Sequence, residues 1–160
     1  MGLRSKSRPP SDAFDLAVRF LAARPRSELE IRRRLARAAV TDVEPVLARL
    51  RSLNLVDDAA FARYWVEQRQ TFRPRGARML RAELRQYGVA AEPRIDEAEA
   101  AYRAGAKKAR QLACLDEPTF RSRLSGFLAR RGFEWEVITE AVERLWAEHQ
   151  PPQTAGHPRT

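Results

Sequence analysis

Apolar residues recur at three- and four-residue spacing along almost the whole chain, a period that predicts helices. The clearest stretch lies between Leu55 and Val89. Phe61, Tyr64, Trp65 and Phe72 fall on one helical face, which predicts a packed aromatic stripe. Pro74 and Gly76 then punctuate the chain, and Ala77, Leu80 and Leu84 supply the core stripe of a second helix. Asp57 precedes the first helix, where its carboxylate can accept a hydrogen bond from an otherwise orphan backbone N–H. Gly88 follows the second, where helices commonly end in the left-handed conformation.

The same pattern extends to both sides. Ser11 is placed to cap a helix from Asp12 to Ala23, with Phe14, Ala17, Val18 and Leu21 inward and Pro25 as its stop. Ser27-Glu28-Leu29-Glu30 matches a capping box and opens a helix that carries Ile31 and Leu35. Thr41-Asp42-Val43-Glu44 is read as a second box, opening a helix with Val43, Val46, Leu47, Leu50 and Leu53 on one face. Beyond Val89 the reading is a helix from about Glu92, with Pro93 in its first turn and Ile95, Ala98 and Tyr102 toward the core. Gly105 marks a possible boundary, with a short basic helix from Ala106 to Leu115 after it. A helix opened by Asp116 and Pro118 carries Phe120, Leu124, Phe127 and Leu128 as far as Gly132. The last helix, Glu134 to Glu148, presents Trp135, Ile138, Val142, Leu145 and Trp146. No alternating run with hairpin chemistry predicts a strand.

Three of these helices share a motif. Ile31, Leu35, Ala39 and Val40 align with Leu80, Leu84, Gly88 and Val89, and again with Leu124, Leu128, Gly132 and Phe133. The small residues Ala39, Gly88 and Gly132 lie 49 and 44 residues apart, in the range of stacked helical repeats. The expected fold is therefore all-α: an elongated tandem array of three three-helix, helix-turn-helix-like repeats over 11–55, 56–104 and 105–149. Residues 1–10 and 150–160, polar and proline-bearing, are expected to be disordered tails.

Charge narrows the class of partner. The 160 residues carry 30 Lys+Arg against 21 Asp+Glu, a formal +9. That balance favours polyanions such as nucleic acid or an acidic protein surface. Lys6, Lys107 and Lys108 are the only lysines, so the charge is nearly all guanidinium, whose planar fork suits phosphate or carboxylate. The single Cys114 has no intramolecular disulfide partner, no signal peptide is visible and no apolar run approaches membrane length, which makes a cytoplasmic location the expectation.

Candidate chemistry is sparse. His149 and His157 with Cys114 make no recognisable metal spacing and no credible catalytic triad, and no phosphate-binding glycine loop is present. Asp57 and Asp58 could form a paired carboxylate, but helix capping explains them better. Tyr64, Trp65 and Phe72 could stack on bases, yet their spacing favours the core. Glu83 is expected to pair within its helix with Arg78 or Arg85. The expectation is a binding protein rather than an enzyme, without metal or cofactor.

One combination of motifs is more specific. Arg26-Ser27-Glu28-Leu29 with Leu35, Val56-Asp57-Asp58-Ala59-Ala60-Phe61-Ala62, then Arg69, Gly76, Leu80, Glu83-Leu84 and Gly88-Val89 follow in order. Gly126-Phe127-Leu128-Ala129-Arg130-Arg131-Gly132-Phe133 closes the series. In these residues the chain resembles RecX, the bacterial regulatory family of the RecA recombinase, from about Asp12 to Trp146. Two departures are visible: Ala39 stands where the family usually has glycine, and Leu53-Asn54-Leu55 replaces a Leu-Gly-Tyr type turn. The resemblance implies tandem three-helix repeats that bind RecA in the groove of the RecA–single-stranded DNA filament. It further implies negative modulation of recombinase, ATPase and coprotease activity in recombination, DNA repair and the SOS response.

Partner-binding faces are expected at Arg78, Arg81 and Arg85, which recur along one helix, with Arg69 and Arg75 before them. Arg32, Arg33, Arg130 and Arg131 complete the set. The alternative is a stand-alone basic DNA-binding protein that acts through the phosphate backbone. An elongated monomer is the expected state.

Overall fold

Ser27 and Glu30 cap each other. Ser27 Oγ accepts from the Glu30 N–H at 3.2 Å, and the Ser27 N–H donates to Glu30 Oε2 at 3.1 Å, so the capping box read in the sequence is present. The computed structural model describes residues 10–149. They form eight helices and no strand: α1 (Pro10–Ala22), α2 (Glu28–Arg37), α3 (Glu44–Ser52), α4 (Asp58–Phe72), α5 (Ala77–Gln86), α6 (Glu97–Leu112), α7 (Glu117–Ala129) and α8 (Trp135–His149). Pro10 opens α1, so Ser11 lies inside its first turn rather than ahead of it. The rest of the two expected tails lies outside the described residues.

The repeated motif has a backbone counterpart. Ala39, Gly88 and Gly132 all adopt positive φ, at 58°, 75° and 83°. After each, the next N–H reaches back to the leucine carbonyl five residues earlier: Val40 to Leu35 (3.1 Å), Val89 to Leu84 (2.9 Å) and Phe133 to Leu128 (3.5 Å). This is the Schellman ending, in which one left-handed residue lets the chain reverse and satisfy a helix carbonyl. Asn54 (φ 53°) supplies a fourth example, with the Leu55 N–H on Leu50 O at 2.9 Å. The two departures from the family pattern are thus the two non-glycine residues with positive φ among the described residues.

The described residues divide into two compact units, and each alternates along the sequence: those up to Gln68 with Arg81–Pro93, and Arg69–Leu80 with those from Arg94 on. In the first unit, Ala13, Ala17, Ile31, Leu35, Leu47 and Leu50 form a core from which water is fully excluded. Phe61, Ala62, Leu84 and Val89 form a second cluster in the same unit, joined by Trp65 and Tyr87 with ring centroids 4.6 Å apart. Asp57 caps α4 as expected, its Oδ1 accepting from the Ala59 N–H at 2.8 Å. Asp58 turns instead to α2, accepting from the Glu28 N–H at 2.8 Å.

In the second unit α6 packs along α8, with α7 against both. Phe120, Leu124, Leu128, Ile138 and Leu145 are buried among Ala100, Ala101, Ala104 and Ala109. Asp116 caps α7, accepting from the Thr119 N–H at 3.1 Å.

Several local expectations are corrected. Thr41 to Glu44 makes no capping box: Val43 is the N-cap residue without a side-chain bond, and Asp42 Oδ1 accepts from the Glu44 N–H at 3.2 Å. Pro45 in that first turn has no N–H to satisfy, which lowers the demand for a cap. Leu53 is 52 % exposed, because α3 stops at Ser52 and the chain turns away. No helix starts at Glu92: residues 90–96 are non-helical, Pro93 disfavours helical backbone just before it, and Asp96 caps α6 by accepting from the Glu99 N–H at 3.0 Å. α6 then runs unbroken through Gly105, replacing the two shorter helices expected there. A Cβ at Gly105 would lie 2.8 Å from Leu145 Cδ1, so this glycine serves close helix packing and not a break. Trp135, as the first residue of α8, is 68 % exposed rather than core.

Candidate functional site

The loop between α4 and α5 gathers basic residues in the second unit. Pro74 and Gly76 keep residues 73–76 out of helix, and the Gly76 N–H donates to Arg131 O at 2.9 Å across to the α7–α8 turn. Backbone meets backbone here: a Cβ on Gly76 would stand 2.2 Å from Gly132 O. Arg131 returns the contact, donating from Nη1 to Pro74 O at 3.2 Å, while Arg78 donates from Nη2 to Ala129 O at 3.2 Å. The α5 N-terminus is held by Glu97, whose Oε1 accepts from the Ala77 N–H at 2.6 Å.

This docking concentrates positive charge. Burial, then the fields of Arg69, Arg73 and Arg131, push the Arg75 guanidinium below its ordinary value. Burial and Arg73 lower Arg131 in the same way. Both groups stay charged at neutral pH, since arginine starts far above it. Beside them opens a cavity of about 300 Å³, between this loop, α6 and the end of α7. Its cations are Arg73, Arg103, Lys107, Lys108 and Arg131, and no carboxylate lines it. Arg131 also lies over the Phe127 ring, 4.6 Å from its centroid.

The expected arginine faces are therefore unequal. Arg69, Arg75, Arg78, Arg130 and Arg131 all belong to the second unit, the first two partly buried and Arg78 and Arg130 exposed. Arg32, Arg33, Arg81 and Arg85 belong to the first. There Arg32 is held by Glu28 (2.9 Å) and Glu44, Arg81 by Glu92 (2.9 Å), and Arg33 reaches Gln86 O at 3.5 Å. Arg85 is exposed.

Sequence reasoning missed Arg73, Arg103, Lys107 and Lys108. The signal was available: Arg103, Lys107 and Gln111 repeat every four residues along α6, with Lys108 beside them. It also misplaced Phe72, which is 78 % exposed at the end of α4 and not part of the aromatic core. Glu83 differs too. It is buried, and the Trp65 Nε1–H donates to its Oε2 at 2.7 Å, a bond to the preceding helix that the pattern of its own helix does not announce. Among the described residues no cluster of three or more His, Cys, Asp or Glu could hold a metal ion, and no helix is long and apolar enough to cross a membrane.

Comparison with known proteins addresses the chain nearly end to end. Three family profiles match in series: RecX, first three-helix domain, over residues 13–50; RecX, second three-helix domain, over 57–93; and RecX, third three-helix domain, over 95–142. The Regulatory protein RecX of Chlorobium limicola is 35% identical over 144 residues, covering 85% of this chain and 91% of that protein. That of Mycobacterium avium is 35% identical over 141 residues, covering 79% and 80%. Among solved structures, a crystal structure of regulatory protein RecX superposes with a TM-score of 0.71 at 25% identity, over 84% of this chain and 73% of that one. RecX from Lactobacillus salivarius gives 0.72 at 16% identity, over 85% and 96%, and so supports the fold alone. With three tandem domain matches, a helical fold in common and relatives at this identity over most of their length, the chain belongs to the RecX family of regulatory proteins.

Proposed function

We propose that this protein regulates the RecA recombinase, binding in the groove of the RecA–single-stranded DNA filament and lowering its recombinase, ATPase and coprotease activity. The role belongs to recombination, DNA repair and the SOS response in the cytoplasm, and the protein acts as a monomer. The observation that carries this reading is the unbroken series of three RecX domains over residues 13–142. The exposed arginines Arg78, Arg85 and Arg130 are the leading contact residues, since each is solvent-exposed on a helix or at a helix end. Arg32, Arg33, Arg69, Arg75, Arg81 and Arg131 support those faces.

The test is ATP hydrolysis by the cognate RecA on single-stranded DNA, with this protein titrated in. Inhibition well below one molecule per RecA is expected, because one bound regulator affects several protomers. No inhibition, with binding to naked DNA retained in the same buffer, would overturn the reading.

A second reading, direct DNA binding without RecA, is favoured by the carboxylate-free basic cavity of the second unit. It expects affinity for naked DNA that falls steeply with salt as counterions are released from the phosphates.

A further inference from the structure

We propose that the basic cavity of the second unit is a nucleotide-binding pocket, with clustered phosphates on its cations and the base stacked on Phe72. The proposal goes beyond RecA regulation and does not rest on it.

Four observations lead there. First, Arg73, Arg103, Lys107, Lys108 and Arg131 converge on one cavity with no carboxylate among its lining residues. Arginine and lysine normally find acidic partners when brought together. Here Arg73, Arg103, Lys107 and Lys108 make no ion pair among the described residues. Such a site carries repulsion that an anion would relieve. Second, Arg131 is fixed, by its bond to Pro74 O and by the Phe127 ring beneath it, so at least one guanidinium is preorganised. Third, the volume of about 300 Å³ is at the small end for ligand pockets, enough for a few phosphate groups. Fourth, the rim carries Phe72, an aromatic ring 78 % exposed. Helix packing does not explain that ring, since it buries little there. A cationic hollow beside an open aromatic face is the combination that holds phosphate and base together.

An acidic peptide would satisfy the cations but would leave Phe72 unused. The same ligand chemistry can come from two sources, a free nucleoside triphosphate or one nucleotide of a single strand. Both place a base next to negatively charged phosphates, and the experiment separates them.

The 160-residue protein is titrated against two fluorescent probes, a labelled deoxythymidine decamer and a labelled ATP, at fixed ionic strength. The variants are Phe72→Ala, Phe72→Trp and Lys107→Glu/Lys108→Glu, at residues that are exposed or half-buried, with helicity checked by circular dichroism. Phe72→Ala is expected to weaken whichever probe binds about tenfold, and Phe72→Trp to restore it with quenching of the new indole by the base. Lys107→Glu/Lys108→Glu is expected to weaken it at least tenfold and to flatten its salt dependence. Inorganic triphosphate should compete, and its own affinity should not respond to Phe72→Ala. A tighter decamer names a single strand as the source, and a tighter ATP names the free nucleotide. Binding of neither probe, binding indifferent to all three variants, or equal competition by polyglutamate would overturn the proposal.

Discussion

The Trp65 indole N–H donates to the buried carboxylate of Glu83 at 2.7 Å, tying the aromatic cluster of α4 to α5 within the first unit. A buried acceptor that loses a donor costs about 1–3 kcal/mol. Trp65→Phe keeps the ring contacts with Phe61 and Tyr87 and removes the N–H. It should therefore destabilise the protein by about that amount in urea titration. A cost no larger than that of an exposed aromatic swap would show that the bond contributes little.

Gly76 is expected to tolerate no side chain. Its Cβ would fall on the Gly132 carbonyl, which is backbone and has no rotamer to yield. Gly76→Ala should cost about 1–3 kcal/mol or more through forced separation of the two turns. Thermal unfolding reads the loss, and hydrogen exchange at the Gly76 N–H should accelerate because its bond to Arg131 O opens.

Ala39 is in the left-handed region at φ 58°, where a Cβ costs about 1–2 kcal/mol. Ala39→Gly removes that cost but loosens the unfolded chain, so a net gain of about 0.5–1 kcal/mol is expected. Asn54→Gly should gain less, because asparagine tolerates this conformation. Chemical denaturation of the two variants checks both the sign and the order.

The Arg51 and Arg32 guanidiniums hold the Glu28 carboxyl below the usual glutamate range, Arg51 through hydrogen bonding being the larger influence and burial opposing it. A group whose folded value is lowered stabilises the fold above its unfolded value, and that contribution is lost as pH falls through the folded one. Glu28→Gln should thus be less stable than the parent at neutral pH, with the gap closing below the ordinary glutamate range. A gap independent of pH would show that Glu28 acts through packing alone.

Arg85 is exposed on α5, so reversing its charge tests partner binding with little effect on the fold. Arg85→Glu should weaken association with the RecA filament about tenfold while leaving the melting curve in place. Unchanged association measured by light scattering or pull-down would remove Arg85 from the contact face.

The helix-ending chemistry was legible because it is local. The Ser27–Glu30 box, the Asp57 cap and the shared endings at Ala39, Gly88 and Gly132 each involve residues within one turn of each other. What was not legible depends on residues distant in sequence. Gly105 reads as a break until Leu145 is seen pressed against it. Phe72 and Trp135 fit a helical core pattern, and only the packing of the other helices shows that both are largely exposed. The arginines expected at binding faces have unequal surroundings for the same reason: Arg32 and Arg81 are ion-paired with Glu28, Glu44 and Glu92, while Arg103, Lys107 and Lys108 join Arg73 and Arg131 at a cavity that no short motif announces.

The alternation of the two units along the chain has a practical meaning for dissection. The third-domain match begins at residue 95, yet the unit that contains it also uses Arg69–Leu80. A fragment cut at the apparent repeat boundary would leave the Arg131 carbonyl without Gly76 and Glu97 without the α5 N-terminus. A fragment that keeps these contacts must begin no later than Arg69, so the sequence repeat and the compact unit are different objects.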